Sequence, residues 1–217
     1  FVQGGKSGIH ILIVFDPKTW IFNKENEDFI NRFLDNGFPH TPNRESEDSA
    51  CEWTLSQTLD KLERHRENGR DSFVILAHVD DTKGAFKEMA GGLSSQFSPL
   101  FERSVLAVQK SRSRDNWDKL NQWVNKDWVP AKVEGSDCKS LDTVGRAHAE
   151  GDEGRKCYIK LGAFSFQAVR LALVMKAQRV SENLPEHQAA YIRSVSFRGG
   201  LLDGQTLFLN PDMNNFI

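Results

Sequence analysis

Long apolar runs are missing from this chain of 217 residues. The longest, residues 11–15 and 171–175, fall far short of the roughly 20 residues that cross a bilayer as a helix, so no transmembrane helix and no membrane partner are expected. Cysteine is scarce. Cys51, Cys138 and Cys157 are odd in number, widely spaced and in no CxxC pair, which argues against a disulfide framework and a zinc ribbon and fits a reducing, cytoplasmic setting. An excess of one charge is also missing, since 28 Lys+Arg against 30 Asp+Glu leave a formal net charge of −2. No global field then draws the chain onto nucleic acid or an anionic surface, although a local basic patch stays open. Neither an internal repeat nor a low-complexity segment is found, and 39% hydrophobic with 27% charged residues excludes disordered and collagen-like classes. There is no initiator Met and no basic segment leading into an apolar one, and residues 214–217 carry no helix cap or polar tail. The chain reads as a piece of a longer protein, in which a site built from several strand ends has some of its ligands elsewhere.

What is there alternates. Residues 8–15 form a β-branched and aromatic run closed by Asp16-Pro17, which reads as a buried strand with His10 at its start. Phe29, Ile30, Phe33 and Leu34 recur at helical spacing and stop at Asn36-Gly37, and Cys51, Leu55, Leu59 and Leu62 line one face of a helix expected over 49–67. Further strands are expected at 72–77, 104–108, 131–134 and 157–161, with helices at 116–124 and 164–179. Strands separated by helices at these intervals predict βαβ units and a largely parallel sheet or barrel, whose functional groups gather at the strands' carboxyl ends. Beyond Val180 the pattern changes to a polar stretch and then two strands, 192–197 and 206–209, joined by Gly199-Gly200 and Asp203-Gly204. This places a domain boundary at 181–190.

Three residues could carry chemistry together. His10, His78 and Asp137 each lie in or just beyond a separate strand, and parallel neighbours in a barrel bring such groups to one rim, as a metal site or an acid–base centre requires. Imidazole and carboxylate suit zinc, manganese or iron. Each has a plain structural alternative. A His opening an apolar strand is more often structural than a ligand, the loop after His78 with Asp80 and Asp81 can be merely solvated, and Asp137 after Gly135 fits an Asx turn. His40, His65 and His187 read as surface residues, and His148 can reach the same rim or face solvent. The tryptophans between 117 and 128 read as core. No Ser-His-Asp spacing or GxSxG elbow occurs, and 199–204 lacks the Gly-Lys-Ser/Thr of a phosphate loop.

The order of these motifs is more specific than any one of them. His10 in Gly-Ile-His-Ile-Leu-Ile-Val-Phe-Asp-Pro, Ala77-His78-Val79-Asp80, Gly135-Ser136-Asp137 and Tyr158-Ile159-Lys160-Leu161 before a helix together resemble the later part of a PHP (polymerase and histidinol phosphatase) domain over about residues 8–180, in particular that of the TrlF-like PHP-ATPases. Residues 192–217 look like the opening strands of an ABC- or SMC-like ATPase head, short of its phosphate-binding loop. The resemblance implies an α/β fold, the C-terminal part of a distorted (β/α)7 barrel over 1–180, a linker at 181–190 and the first strands of a P-loop ATPase domain over 191–217. It implies up to three divalent metals, with His10, His78 and Asp137 as ligands, and metal-assisted hydrolysis of a phosphoester, nucleic acid such as tRNA or DNA among the substrates. ATP and magnesium enter only through the downstream domain, whose head implies a homo-oligomer. Two departures matter. The family's first metal motifs lie upstream of Phe1, and the His of its Ser-Asp-x-His is replaced by Lys139, whose ammonium cannot ligate a metal. Two readings follow: Lys139 holds the substrate phosphate with Asp137 in the catalytic centre, or the module is catalytically inactive and serves as a sensor or assembly domain for the ATPase.

Overall fold

The computed structural model describes residues 2–4, 7–41, 43–44, 49–80, 84–89, 99–109, 129–135, 157–182 and 192–209. The helix expected over 116–124 lies outside them, as do Asp137, Lys139, His148 and His187. The chain divides into two units, Phe1–Asn183 and Leu184–Ile217.

The first unit opens with the antiparallel strands β1 (Val2–Gly4) and β2 (Ser7–Ile9), after which the backbone passes through His10 into β3 (Ile11–Phe15). A one-turn helix α1 (Pro17–Trp20) follows, capped by the Asp16 side chain. Next come α2 (Phe29–Gly37) and α3 (Leu55–Glu67). Strand β4 (Ser72–Leu76), short helices α4 (Ala85–Met89) and α5 (Pro99–Ser104), and strands β5 (Val105–Gln109) and β6 (Ala131–Val133) complete a four-stranded sheet in the order β3-β4-β5-β6. A small antiparallel pair, β7 (Tyr158–Ile159) with β8 (Val180–Ser181), brackets helices α6 (Phe166–Val174) and α7 (Lys176–Arg179).

The fold is mixed α/β with a mixed sheet. Strands β4, β5 and β6 are parallel, as the alternation predicts, but β3 runs antiparallel to β4, with Ile11 opposite Leu76 and Phe15 opposite Ser72. Among the described residues the sheet is open at both ends rather than closed into a barrel.

Strand periodicity divides the core between the two faces. On one, Val74 and Leu76 of β4 and Ile11, Ile13 and Phe15 of β3 meet Phe29 and Phe33 of α2 and Leu55, Leu59 and Leu62 of α3. On the other, Phe73, Val14 and Ala107 meet Phe166, Val169 and Leu173 of α6. Helix α3 starts at Leu55 rather than at 49. Thr54 accepts from Gln57 N while the Gln57 side chain accepts from Thr54 N, a capping box that satisfies donors the first turn leaves orphaned. Cys51, expected on that helix, instead lies buried ahead of it beside Gly37. The helix expected over 164–179 breaks at Met175, and Phe164 precedes it, almost fully exposed.

The second unit shows β9 (Ser194–Ser196) antiparallel to β10 (Thr206–Phe208), joined through a 3-10 turn at Gly200–Leu202. Gly199, Gly200 and Gly204 all take positive φ there, which glycine adopts without a Cβ penalty.

Candidate functional site at the carboxyl ends of the parallel strands

His10 and His78 meet because β3 is antiparallel. His10 precedes the first residue of β3 and His78 follows the last of β4, so a parallel pairing would hold them a strand length apart. In the observed register the start of β3 lies against the end of β4, Ala77 N donates to His10 O at 3.2 Å, and the two imidazoles stand edge to face with ring centroids 5.5 Å apart. The convergence expected from sequence is present for these two residues, and its cause is the opposite strand direction.

The backbone around His78 is held from several sides. Its φ is +48°, in the left-handed region that costs a non-glycine residue free energy. His78 N donates to Gln109 Oε1 at 2.5 Å, and Phe86 N donates to Val79 O at 3.0 Å. Gly84 folds back so closely that a Cβ there would lie 2.1 Å from His78 O and 2.5 Å from Val79 O. Only glycine allows that approach.

Gln109 reaches the site through an irregularity. Val74 pairs with Val105 but Ile75 pairs with Ala107, so Leu106 is an extra residue in β5. One inserted residue reverses the facing of all that follow it. Ala107 therefore joins the α6 side, Val108 the α3 side, and Gln109 the α6 side again, beneath His78.

That side holds a cavity of about 450 Å³ at the carboxyl ends of β4, β5 and β6. Such ends are where open α/β sheets place their ligands. Its polar lining comes from His78, Gln109, Glu134 and Cys157. Glu134 N donates to Cys157 Sγ at 3.3 Å, and the thiol donates back to Glu134 O at 3.4 Å, which ties β6 to the start of β7. Cys51 and Cys157 are free thiols. Sequence reasoning left Gln109, Glu134, Cys157 and Gly84 unassigned. A polar residue closing the apolar run 105–108 was the available sign of Gln109, whereas the bulge that aims it has no sequence signature.

Two imidazoles on one tetrahedral ion at about 2.0–2.1 Å stand with centroids about 5 Å apart, close to the 5.5 Å between His10 and His78. Among the described residues no group of three His, Cys, Asp or Glu is arranged to hold a metal. Asp137 and Lys139 follow Gly135 of the cavity wall in the sequence and lie outside the described residues.

His65 is not the surface residue its helix position suggested. It is half-buried, 4.5 Å from Trp20 between ring centroids and near Phe29 and Phe33, and its Nδ1 accepts from Arg70 Nε at 3.0 Å. Burial first, and then the charges of Arg70 and Arg32, push its pKa below the ordinary histidine value. His40 is exposed, as expected, and pairs with Glu52. Among the described residues no helix is long and apolar enough to cross a membrane.

No family model matches the chain, and no match is found among curated proteins or among solved structures.

Proposed function

We propose that the first unit is a metal-assisted phosphoesterase of the PHP type, with its centre at the mouth of the cavity. The observation that carries this reading is the His10–His78 pair, 5.5 Å apart at the carboxyl end of β4 and braced by Gln109 and Gly84. His10 and His78 would donate imidazole nitrogen to a zinc, manganese or iron ion, and Asp137, two residues past Gly135, would add a carboxylate. A bound ion supplies charge stabilisation at a phosphoryl oxygen and a more acidic water. The chain's own residues do the positioning. Gln109 fixes the His78 backbone, the fold-back at Gly84 fixes the turn, and Lys139 would pair with a substrate phosphate oxygen.

The wider reading completes the (β/α)7 barrel with segments beyond those described and takes residues 191–217 as the opening strands of a P-loop ATPase head that binds ATP and magnesium and pairs with a second copy. Its support is the antiparallel β9–β10 hairpin, on which Leu201 and Phe208 are exposed. Continuing the reading frame past Ile217 tests it, with Gly-x-x-Gly-x-Gly-Lys-Ser/Thr as the expected result and a stop codon or unrelated sequence as the contrary one.

The second reading, a catalytically inactive module that senses or assembles for the ATPase, is favoured by Lys139 in the place of a ligand histidine. Hydrolysis of bis(p-nitrophenyl) phosphate with added manganese decides between them. Activity lost in both His10→Ala and His78→Ala supports the phosphoesterase, and no activity in the natural protein supports the inactive module.

A further inference from the structure

The cavity beside His78 is shaped for something other than phosphate. Its floor is the sheet face, Leu12 of β3, Ile75 of β4 and Val133 of β6, and its roof is Val169 and Leu173, one helical turn apart on α6. A pleated sheet opposed by a helix face leaves a slot, which admits a flat group more readily than a globular one. Leu12 shows that the slot is open. It shares a face with Val14, which packs into the core, yet 56% of it is exposed. Among the described lining residues none is Lys or Arg, so a phosphoryl charge is not matched inside. Gln109 stands at one end with Oε1 already accepting from His78 N, which leaves its amide N–H groups as the donors it offers.

We infer that this slot takes the aromatic ring system of a phosphoester, a planar nitrogen heterocycle of nucleobase size, while the phosphate stays at the mouth beside His10 and His78. The volume, about 450 Å³, lies within the range of small-molecule pockets, and apolar walls with a few placed polar groups are what such pockets use. A purely aliphatic group would make no use of the Gln109 amide N–H groups, whereas a heterocycle nitrogen accepts from them. The inference rests on the proposed phosphoesterase for the position of the phosphate, but ring binding itself needs neither metal nor hydrolysis.

The test uses the metal-free 217-residue chain with adenosine, which has the ring and no phosphate, and ribose 5-phosphate, which has the reverse, each followed by saturation-transfer NMR. Adenosine should bind, show intermolecular contacts to the methyl groups of Leu12, Val169 and Leu173, and weaken at least tenfold in Leu12→Trp. That substitution fills the slot from an exposed position and spares the core; Val169→Phe fills it from the roof, and a thermal melt of each confirms folding. Absence of adenosine binding, contacts to other methyl groups, or unchanged binding in folded Leu12→Trp overturns the inference. A protein that binds adenosine here but hydrolyses no phosphoester would sink the phosphoesterase and leave the ring site standing. One that hydrolyses phosphoesters without binding adenosine would do the opposite.

Discussion

His65 shows how one residue's surroundings set a measurable property. Packed against Trp20 and bonded to Arg70, it resists protonation in the folded protein. The unfolded chain takes up that proton near the ordinary value of about 6.5, so the unfolded state binds more protons as the pH falls through it. The His65 contribution is therefore constant above about pH 7 and destabilises progressively from about pH 6.5 down to the lowered folded pKa. Urea denaturation at about pH 7.5 and 5.5 should show a fall in midpoint that is smaller in His65→Phe; an equal fall in both contradicts the assignment. Gly84 makes a second case. Its missing Cβ is what lets the chain pass against His78 O and Val79 O, so Gly84→Ala should cost about 1–3 kcal/mol and shift the His78 imidazole resonances. A variant as stable as the natural protein, with those resonances unmoved, would mean that the turn is not built this way.

Between elements, the end of the sheet opposite the histidines is tied by charge. Arg66 of α3 donates to Glu63, to Asp71 and to Ser72 O, and Arg103 of α5 also reaches Glu63. Trp20 Nε1 donates to Asp71 O at 2.8 Å, and Gln167 of α6 donates to Asp16. These bonds tie α1 and α3 to the start of β4, α5 to α3, and α6 to Asp16 at the end of β3, while the histidine end is left to the cavity. The capping box of α3 is separable: Thr54→Ala should lower stability by about 1 kcal/mol in urea denaturation, and no change would show that Gln57 alone suffices. The elements themselves were readable because hydrophobic spacing reports which face is buried. Phe29, Phe33, Leu55, Leu59 and Leu62 follow it closely. Strand direction was not readable, since Ile11–Phe15 carries the same apolar pattern whichever way it runs. The helix over 49–67 was overextended for a related reason: Cys51 is buried and sits at helical spacing from Leu55, but the cap is at Thr54.

For the whole molecule, all residues of the two buried clusters fall in the first unit. A chain ending at residue 183 should therefore keep the main cooperative unfolding transition within a few degrees of the full chain, and its loss would show that the second unit is needed for the first to fold. The histidine half of the candidate site was legible, because His10 and His78 both lie at ends of apolar runs. The supporting half was not, because Gln109 is turned to the cavity by a bulge and Gly84 acts through a close backbone approach, and neither leaves a periodic trace. On the proposed reading, His10 and His78 share one divalent ion. The most direct test is elemental analysis of the natural protein, purified without chelator, beside His10→Ala and His78→Ala variants whose folding is verified by thermal melting. At least one equivalent of zinc, manganese or iron, reduced in both variants, is the predicted result. A natural protein without metal, or a metal content that neither variant changes, would contradict it.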